Sequence, residues 1–315
     1  MTSVLITGAS GLIGSRVARA ASKAGYSVTR IVHRALAHQV SDALPRDFVR
    51  PLEDVPPVNS IFHLAGAYAG AEREALERAD LVIARNVIRW GVEHGVRDWV
   101  FASAAEVYGP VEGLATEENP TRPVIPYGHV KLAVENLLIR MAKSCPDSRV
   151  VILRIGEVYG RESRLLRELT MRLGRGFCPW PGSGRVPVSF VHVEDVAQAF
   201  LRAGEHDSRG VSVYNVADDE PATWRSFVCY LARLLGTRPP VFLPRPAVYA
   251  YMLGHRVRSR IASQEPILTS HALRLLATPK ALSTRAIKHD LGFTPQFPNF
   301  RCGLEATLDG LSHHA

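Results

Sequence analysis

The sequence has little that favours a metal centre or a disulfide framework. Its four cysteines, Cys145, Cys178, Cys229 and Cys302, are scattered with no C-x-x-C spacing and read as buried or incidental thiols. No apolar run approaches the roughly 18 residues of a membrane span. The first β-branched run begins at Val4, which leaves no room for a signal peptide, so the expected location is cytoplasmic. No nucleic-acid motif is present, and nucleic-acid partners are not expected. The net charge of +8 is densest at Arg161, Arg164, Arg167, Arg172 and Arg175. That stretch also carries Glu162 and Glu168, with Leu165, Leu166, Leu169 and Leu173 at helical spacing, so it reads as a solvated helix face. With 315 residues, 46% of them apolar, the chain is long enough for one large or two interlocked domains.

What is present begins almost at once. Val4-Leu5-Ile6-Thr7 runs into Gly8-Ala9-Ser10-Gly11-Leu12-Ile13-Gly14 and then into a helix-compatible segment, Ser15 to Ala24. Strand, glycine turn and helix start are what a dinucleotide pyrophosphate requires, because it lies against bare backbone N–H groups at the positive end of a helix. A side chain at Gly8 or Gly11 would block that approach, and Gly14 lets helix and strand pack closely. Val28 to Val32 follows as a second strand. Its end carries Val32-His33-Arg34, with no carboxylate to accept bonds from an adenosine ribose and a fixed cation suited to a 2′-phosphate, which leans toward NADP over NAD.

The first half goes on alternating strands and helices in the manner of a parallel doubly wound sheet. Ser60 to Gly66 is a buried strand whose small end, Leu64-Ala65-Gly66, suits close passage past a cofactor, and His63 within it reads as packed and hydrogen-bonded. A helix with Asn86, Val87 and Trp90 leads to a strand ending in Ser103-Ala104-Ala105-Glu106-Val107-Tyr108-Gly109. Such strand ends face the ligand crevice. Next, Tyr127 and Lys131 stand four apart at the start of a helix that includes Leu132 to Lys143, on one face. An ordinary phenol is a poor proton acceptor at neutral pH, and a nearby ammonium favours its phenolate, so the pair reads as an acid–base couple.

With these residues assembled, the chain resembles the extended short-chain dehydrogenase/reductases, the group containing NAD-dependent epimerase/dehydratases and 3β-hydroxysteroid dehydrogenase-like enzymes. Gly8 to Gly14 looks like the cofactor loop, Ser103 to Gly109 like the strand bearing the catalytic serine or threonine, and Tyr127 to Lys131 like the catalytic pair. Phe190-Val191-His192-Val193-Glu194-Asp195-Val196-Ala197 and Tyr214-Asn215-Val216-Ala217 resemble later landmarks, with Asp195 read as a helix N-cap. The resemblance implies a Rossmann-type α/β fold with a doubly wound parallel sheet, formed by residues 1–156 and about 186–217. A smaller C-terminal α/β substrate-binding domain would come from about 157–185 and 218–315. It also implies cofactor contacts from Gly8, Ser10, Gly11, Leu12, Ile13, Gly14, His33, Arg34, Leu64, Ala65, Gly66, Tyr127 and Lys131. A homodimer through helices around Asn86 to His94 and Val130 to Lys143 is a further implication.

Several residues depart from that pattern. Similar enzymes place Ser or Thr where this chain has Ala104, and losing one such hydrogen-bond donor typically costs about a hundredfold or more in rate. Ser103 or Glu106 could take over, Glu106 aligning with an acid that some dehydratases and decarboxylases use; its alternative role is a structural carboxylate. Nucleotide-sugar members tend to hold the diphosphate with an asparagine where Glu157 stands, and with an arginine two residues before Phe190, where Val188 stands. A carboxylate beside a diphosphate is repulsive, and Arg185 is the candidate to compensate. The tail looks more like the hydroxysteroid dehydrogenase and dihydroflavonol reductase side, with Tyr249, Tyr251 and Met252 as pocket or core. The expected activity is NAD(P)-dependent interconversion of a secondary alcohol and a ketone on a largely apolar, non-nucleotide small molecule. The alternatives are a nucleotide-sugar epimerase, dehydratase or decarboxylase with retained cofactor, and a weakly catalytic cofactor-binding protein.

Overall fold

In a computed structural model of the chain, residues 2–33, 43–46, 52, 55–66, 76–207, 209–244, 246–248, 250, 274 and 276–312 are described. Arg34, Tyr249, Tyr251 and Met252 lie outside them.

Seven strands form the central sheet: β1 (Ser3–Thr7), β2 (Ser27–His33), β3 (Ala43–Arg46), β4 (Ser60–His63), β5 (Asp98–Ala104), β6 (Arg149–Ile155) and β7 (Gly210–Val216). Their order is β7-β6-β5-β4-β1-β2-β3 and every pairing is parallel. The order reverses at β1, between β2 and β4, which is where an open parallel sheet leaves a crevice for a ligand. β6 is buried along its whole length, as the near-continuous apolar run Val150-Val151-Ile152-Leu153 requires of a strand covered on both faces.

Helices cover the two faces. On one, α1 (Leu12–Lys23) packs against a helix at Val193–Glu205 over Val4, Ile6, Val151 and Leu153. On the other, α2 (Ile83–Glu93) and α3 (Pro126–Ser144) enclose Leu5, Ile61, Phe101 and Ile152. A π-helical turn, Glu77–Val82, leads into α2; such turns recur at functional sites. Pro126 at the first position of α3 fixes the backbone where its missing N–H has no intrahelical partner.

Beyond the sheet, α4 (Arg164–Gly174), α5 (Val193–Glu205), α6 (Trp224–Leu234), α7 (Arg285–Leu291) and α8 (Phe300–Ser312) follow in chain order. α4 turns Leu166, Leu169 and Leu173 inward, and Arg164 and Arg172 pair with Glu168 on its outer side, so its arginines form the solvated face expected. α4, α6 and α8 surround an aromatic cluster in which Phe190 and Phe227 stack at 4.1 Å and Trp224 meets Phe190 edge-on at 5.1 Å. The short strand Ala281–Leu282 pairs in parallel with Leu114–Ala115, and Lys280 exchanges backbone hydrogen bonds with Pro187 and Ser189. These pairings fix the chain near residue 280 against loops that follow β5 and β6.

Asp195 differs from its expected role. His192 caps α5, its Nδ1 accepting from the Glu194 N–H, whereas the Asp195 carboxylate accepts from the Gln296 and Phe297 N–H groups at 2.6 and 3.1 Å. Asp195 lies inside the first turn, so its side chain reaches outward to an incoming loop rather than back to its own helix.

Candidate active site

The glycine loop forms an open, positively polarised cradle. Gly11 caps α1 without a side chain, and no acidic residue occupies the first turn, so the N–H groups there remain available to an anion. Gly8 has φ +71° and a Cβ on it would lie 2.8 Å from the Ala65 N; a Cβ on Gly14 would lie 2.1 Å from the Gly8 carbonyl oxygen. Only glycine lets the turn, the helix and the end of β4 approach so closely. The Thr7 hydroxyl reinforces this junction by accepting from the Leu64 and Ala65 N–H groups, both at 3.1 Å. Ser10, Leu12 and Ile13 are partly exposed around the same turn, with Gly66 exposed at the end of β4. This geometry fits a dinucleotide pyrophosphate. His33 ends β2, adjacent to β1 in the sheet.

The Thr7 oxygen has accepted two N–H bonds, so its hydrogen goes to His63 Nδ1, 2.8 Å away. That places the imidazole hydrogen on Nε2, which is buried and has no hydrogen-bond partner among the described residues. Burial first, then the Lys131 charge, pushes the His63 pKa down to about 3. The ring is therefore neutral and stacks on Phe101 at 5.6 Å. It is a packed histidine, as its place in a buried strand led one to expect.

Tyr127 and Lys131 lie in the first turns of α3, and Lys131 Nζ stands 5.6 Å from the Tyr127 ring centroid. Lys131 is buried and its ammonium is engaged by Asp80, 2.9 Å away on the π-helical turn. The Tyr127 phenol is held well above its ordinary range, by burial first and then by the carboxylates of Glu106, Asp80 and Glu157.

Glu106 and Glu157, one following β5 and one following β6, are brought together by a cation absent from the sequence expectations. Lys280 Nζ donates to both carboxylates and is only 2% exposed. Burial alone would lower its pKa, but the two carboxylates outweigh that and raise it above the ordinary lysine range. The cluster carries one net negative charge. Glu106 and Lys280 line a small pocket with Gly109, Val124, Ile125 and Thr278. Arg185, the candidate to balance Glu157, is exposed on a loop and is not the residue that reaches it.

Ser103 turns the other way. Its hydroxyl is buried and donates to Glu135, which Arg154 clamps through Nε at 3.1 Å and a terminal nitrogen at 2.8 Å. Arg154 also stacks over Tyr108, whose hydroxyl donates to Asn215 at 2.8 Å. Ser103 therefore belongs to a buried network under the site, and Ala104, also buried, leaves no hydroxyl beside it. Of the group singled out from sequence, the structure gathers Tyr127, Lys131, Glu106 and Glu157 and leaves Ser103 and Arg185 apart. Asp80 and Lys280 are additional. Asp80 was legible in principle, since an acid four residues before Ala84 and seven before Val87 falls on their inward stripe. Lys280 has no local signal, being 123 residues from Glu157.

Comparison with known proteins places these observations in context. Residues 4–217 match the model of the NAD dependent epimerase/dehydratase family. A UDP-glucose 4-epimerase of Caenorhabditis elegans is 28% identical over 77% of this chain and 86% of its own. A 2-alkyl-3-oxoalkanoate reductase of Stenotrophomonas maltophilia is 27% identical over 93% of this chain and 94% of its own. Among solved structures, MoeE5 in complex with UDP-glucose and NAD superposes with a TM-score of 0.77 at 24% identity, covering 99% of each chain.

Proposed function

Because the chain belongs to the NAD dependent epimerase/dehydratase family, we infer that its site interconverts a ketone and a secondary alcohol on a non-nucleotide small molecule. The observation that carries this reading is the cluster of Glu106, Lys280 and Glu157 in the surroundings of Tyr127. With two carboxylates around one ammonium, the cluster repels a diphosphate and tolerates a neutral or weakly polar substrate. The reductase relative spans more than nine-tenths of both chains, which is consistent with the same reading.

The backbone N–H groups at the start of α1 would hold the pyrophosphate, with Gly8, Gly11 and Gly14 making the approach possible. Lys131 would bind the nicotinamide ribose. When bound, the cofactor supplies hydride exchange at the carbinol carbon. Tyr127 would supply the proton to the substrate oxygen. Glu106 would orient the substrate or assist proton movement, a task for which Ser103, committed to Glu135, is not available. The sequence Val32-His33-Arg34 favours NADP through the cation at Arg34, and tighter binding of NADPH than NADH by fluorescence titration is the expected outcome.

A second reading, a nucleotide-sugar epimerase with retained NAD, is favoured by the likeness to the UDP-glucose 4-epimerase. One experiment separates the two. Purified protein is assayed for cofactor oxidation against a panel of ketones, including 3-oxo acids, and in parallel for UDP binding and UDP-sugar epimerisation. Turnover of a ketone without UDP binding is expected; activity confined to UDP-sugars overturns the leading reading.

A further inference from the structure

On α4, Arg167, Met171 and the capping Arg175 follow one another at four-residue spacing and so share one face. Both arginines are exposed, and Met171 between them is 53% exposed. Phe177, two residues past Arg175, is likewise 53% exposed, and Val241 is 42% exposed. Phe177 and Val241 are brought side by side, because the Val241 N–H donates to the Cys178 carbonyl at 2.9 Å and the strand Val241–Leu243 pairs with Pro179–Pro181. Leu169, Leu173 and Cys178 turn into the same aromatic core, so the opposite sides of these segments form one outer surface. The charge there is uncompensated. From residue 161 to 185 six arginines stand against two glutamates, and from 225 to 243 three arginines stand with no acidic residue, a surplus of seven in a chain of net charge +8. Both glutamates are already engaged, Glu162 by Arg16 of α1 and Glu168 by Arg164 and Arg172. Arg167, Arg175 and Arg238 form no ion pair with the described residues.

We propose that this face of α4 and the strand beside it docks on an anionic lipid surface, the arginines against headgroup phosphates and the Met171, Phe177 and Val241 side chains reaching the acyl boundary. A nucleic acid would pair with the arginines but offers no apolar phase to Met171 and Val241. A protein partner buries a continuous apolar centre, whereas here single apolar tips alternate with cations. A bilayer interface takes up both at once. No helix among the described residues is long and apolar enough to cross a membrane, so the contact is peripheral. The inference does not rest on the reaction proposed above.

Co-sedimentation of the full chain with vesicles tests it, with phosphatidylcholine alone compared with phosphatidylcholine mixed with phosphatidylglycerol. Binding to the anionic vesicles only, weakened by raised salt, is expected. Each arginine near such a surface contributes about fivefold, so Arg167→Gln with Arg175→Gln should weaken binding about twentyfold. Met171→Ser with Phe177→Ser should weaken it by about tenfold or more. All four positions are exposed, so dinucleotide affinity, followed by fluorescence titration, should stay unchanged in both variants. Failure to bind anionic vesicles, or binding left unchanged by either double variant, overturns the proposal. Retention on RNA or on an acidic protein without vesicle binding assigns the face to another partner and overturns it as well.

Discussion

Replacing Lys280 with methionine removes the only cation described between Glu106 and Glu157 and keeps most of the buried volume. Breaking a buried ion pair on one side costs about 3–5 kcal/mol, because the remaining charge is left uncompensated. Side-chain exposures of 11% for Glu106 and 22% for Glu157 let water relieve part of this, so about 2–3 kcal/mol at pH 7 is the expected loss.

In the wild type the Lys280 pKa is raised in the folded state, so its contribution is fully present below the unfolded lysine value and is lost only as pH climbs through the folded one. Between pH 5 and 8 it is constant. Urea unfolding of the wild type and Lys280→Met at pH 7 measures the difference. A gap below about 1 kcal/mol would refute the view of Lys280 as the counter-ion of two buried carboxylates.

Ser103→Ala should cost about 1 kcal/mol of stability, since Arg154 still satisfies Glu135, and should leave kcat within about twofold; a large fall in kcat with intact stability would return Ser103 to the catalytic set. Ala104→Ser should raise kcat by about tenfold or more if the missing hydroxyl limits the rate, measured with whichever ketone the panel identifies. Gly14→Ala places a Cβ 2.1 Å from the Gly8 carbonyl oxygen, so dinucleotide affinity by fluorescence titration should fall about tenfold or more. Asp218 is pushed up to about 8, by burial first and then by Asp195, so the native state keeps a proton there that the unfolded chain loses. Its cost to stability grows as pH rises from about 4 to 8, and Asp218→Asn should gain stability over the wild type at pH 9 but little at pH 4.

The sheet and the cofactor cradle were legible because their causes are local. Three glycines after a β-branched run fix a turn by sterics alone, and Gly8 and Gly14 meet backbone where the spacing placed them. Tyr127 and Lys131 share a helix face through a four-residue spacing, which no tertiary contact can undo. Charge compensation has no such local rule. Glu157 read as a repulsive residue because its partner is supplied by residue 280, carried in by backbone bonds to Pro187 and Ser189. Ser103 read as a substitute hydroxyl because strand position says only that it lies near the crevice, and the Glu135 that claims it comes from a facing helix.

The proton affinity of Tyr127 is set in the same non-local way, and it bears on chemistry more than on fold. A tyrosine–lysine spacing specifies distance, but the proton affinity of the phenol depends on the sum of charges that converge on it. Among the described groups that sum includes Glu106, Asp80 and Glu157, and the two lysines nearby are each matched by a carboxylate. In a buried site a paired ammonium contributes a weak dipolar field, whereas the surplus carboxylate contributes a full charge. The surplus here is one, from the cluster around Lys280. Lys280 therefore limits how far the glutamates raise the phenol. Lys280→Met should consequently hold Tyr127 protonated to still higher pH, read as tyrosinate absorbance minus that of the Tyr127→Phe counterpart; a titration that moves downward would refute it.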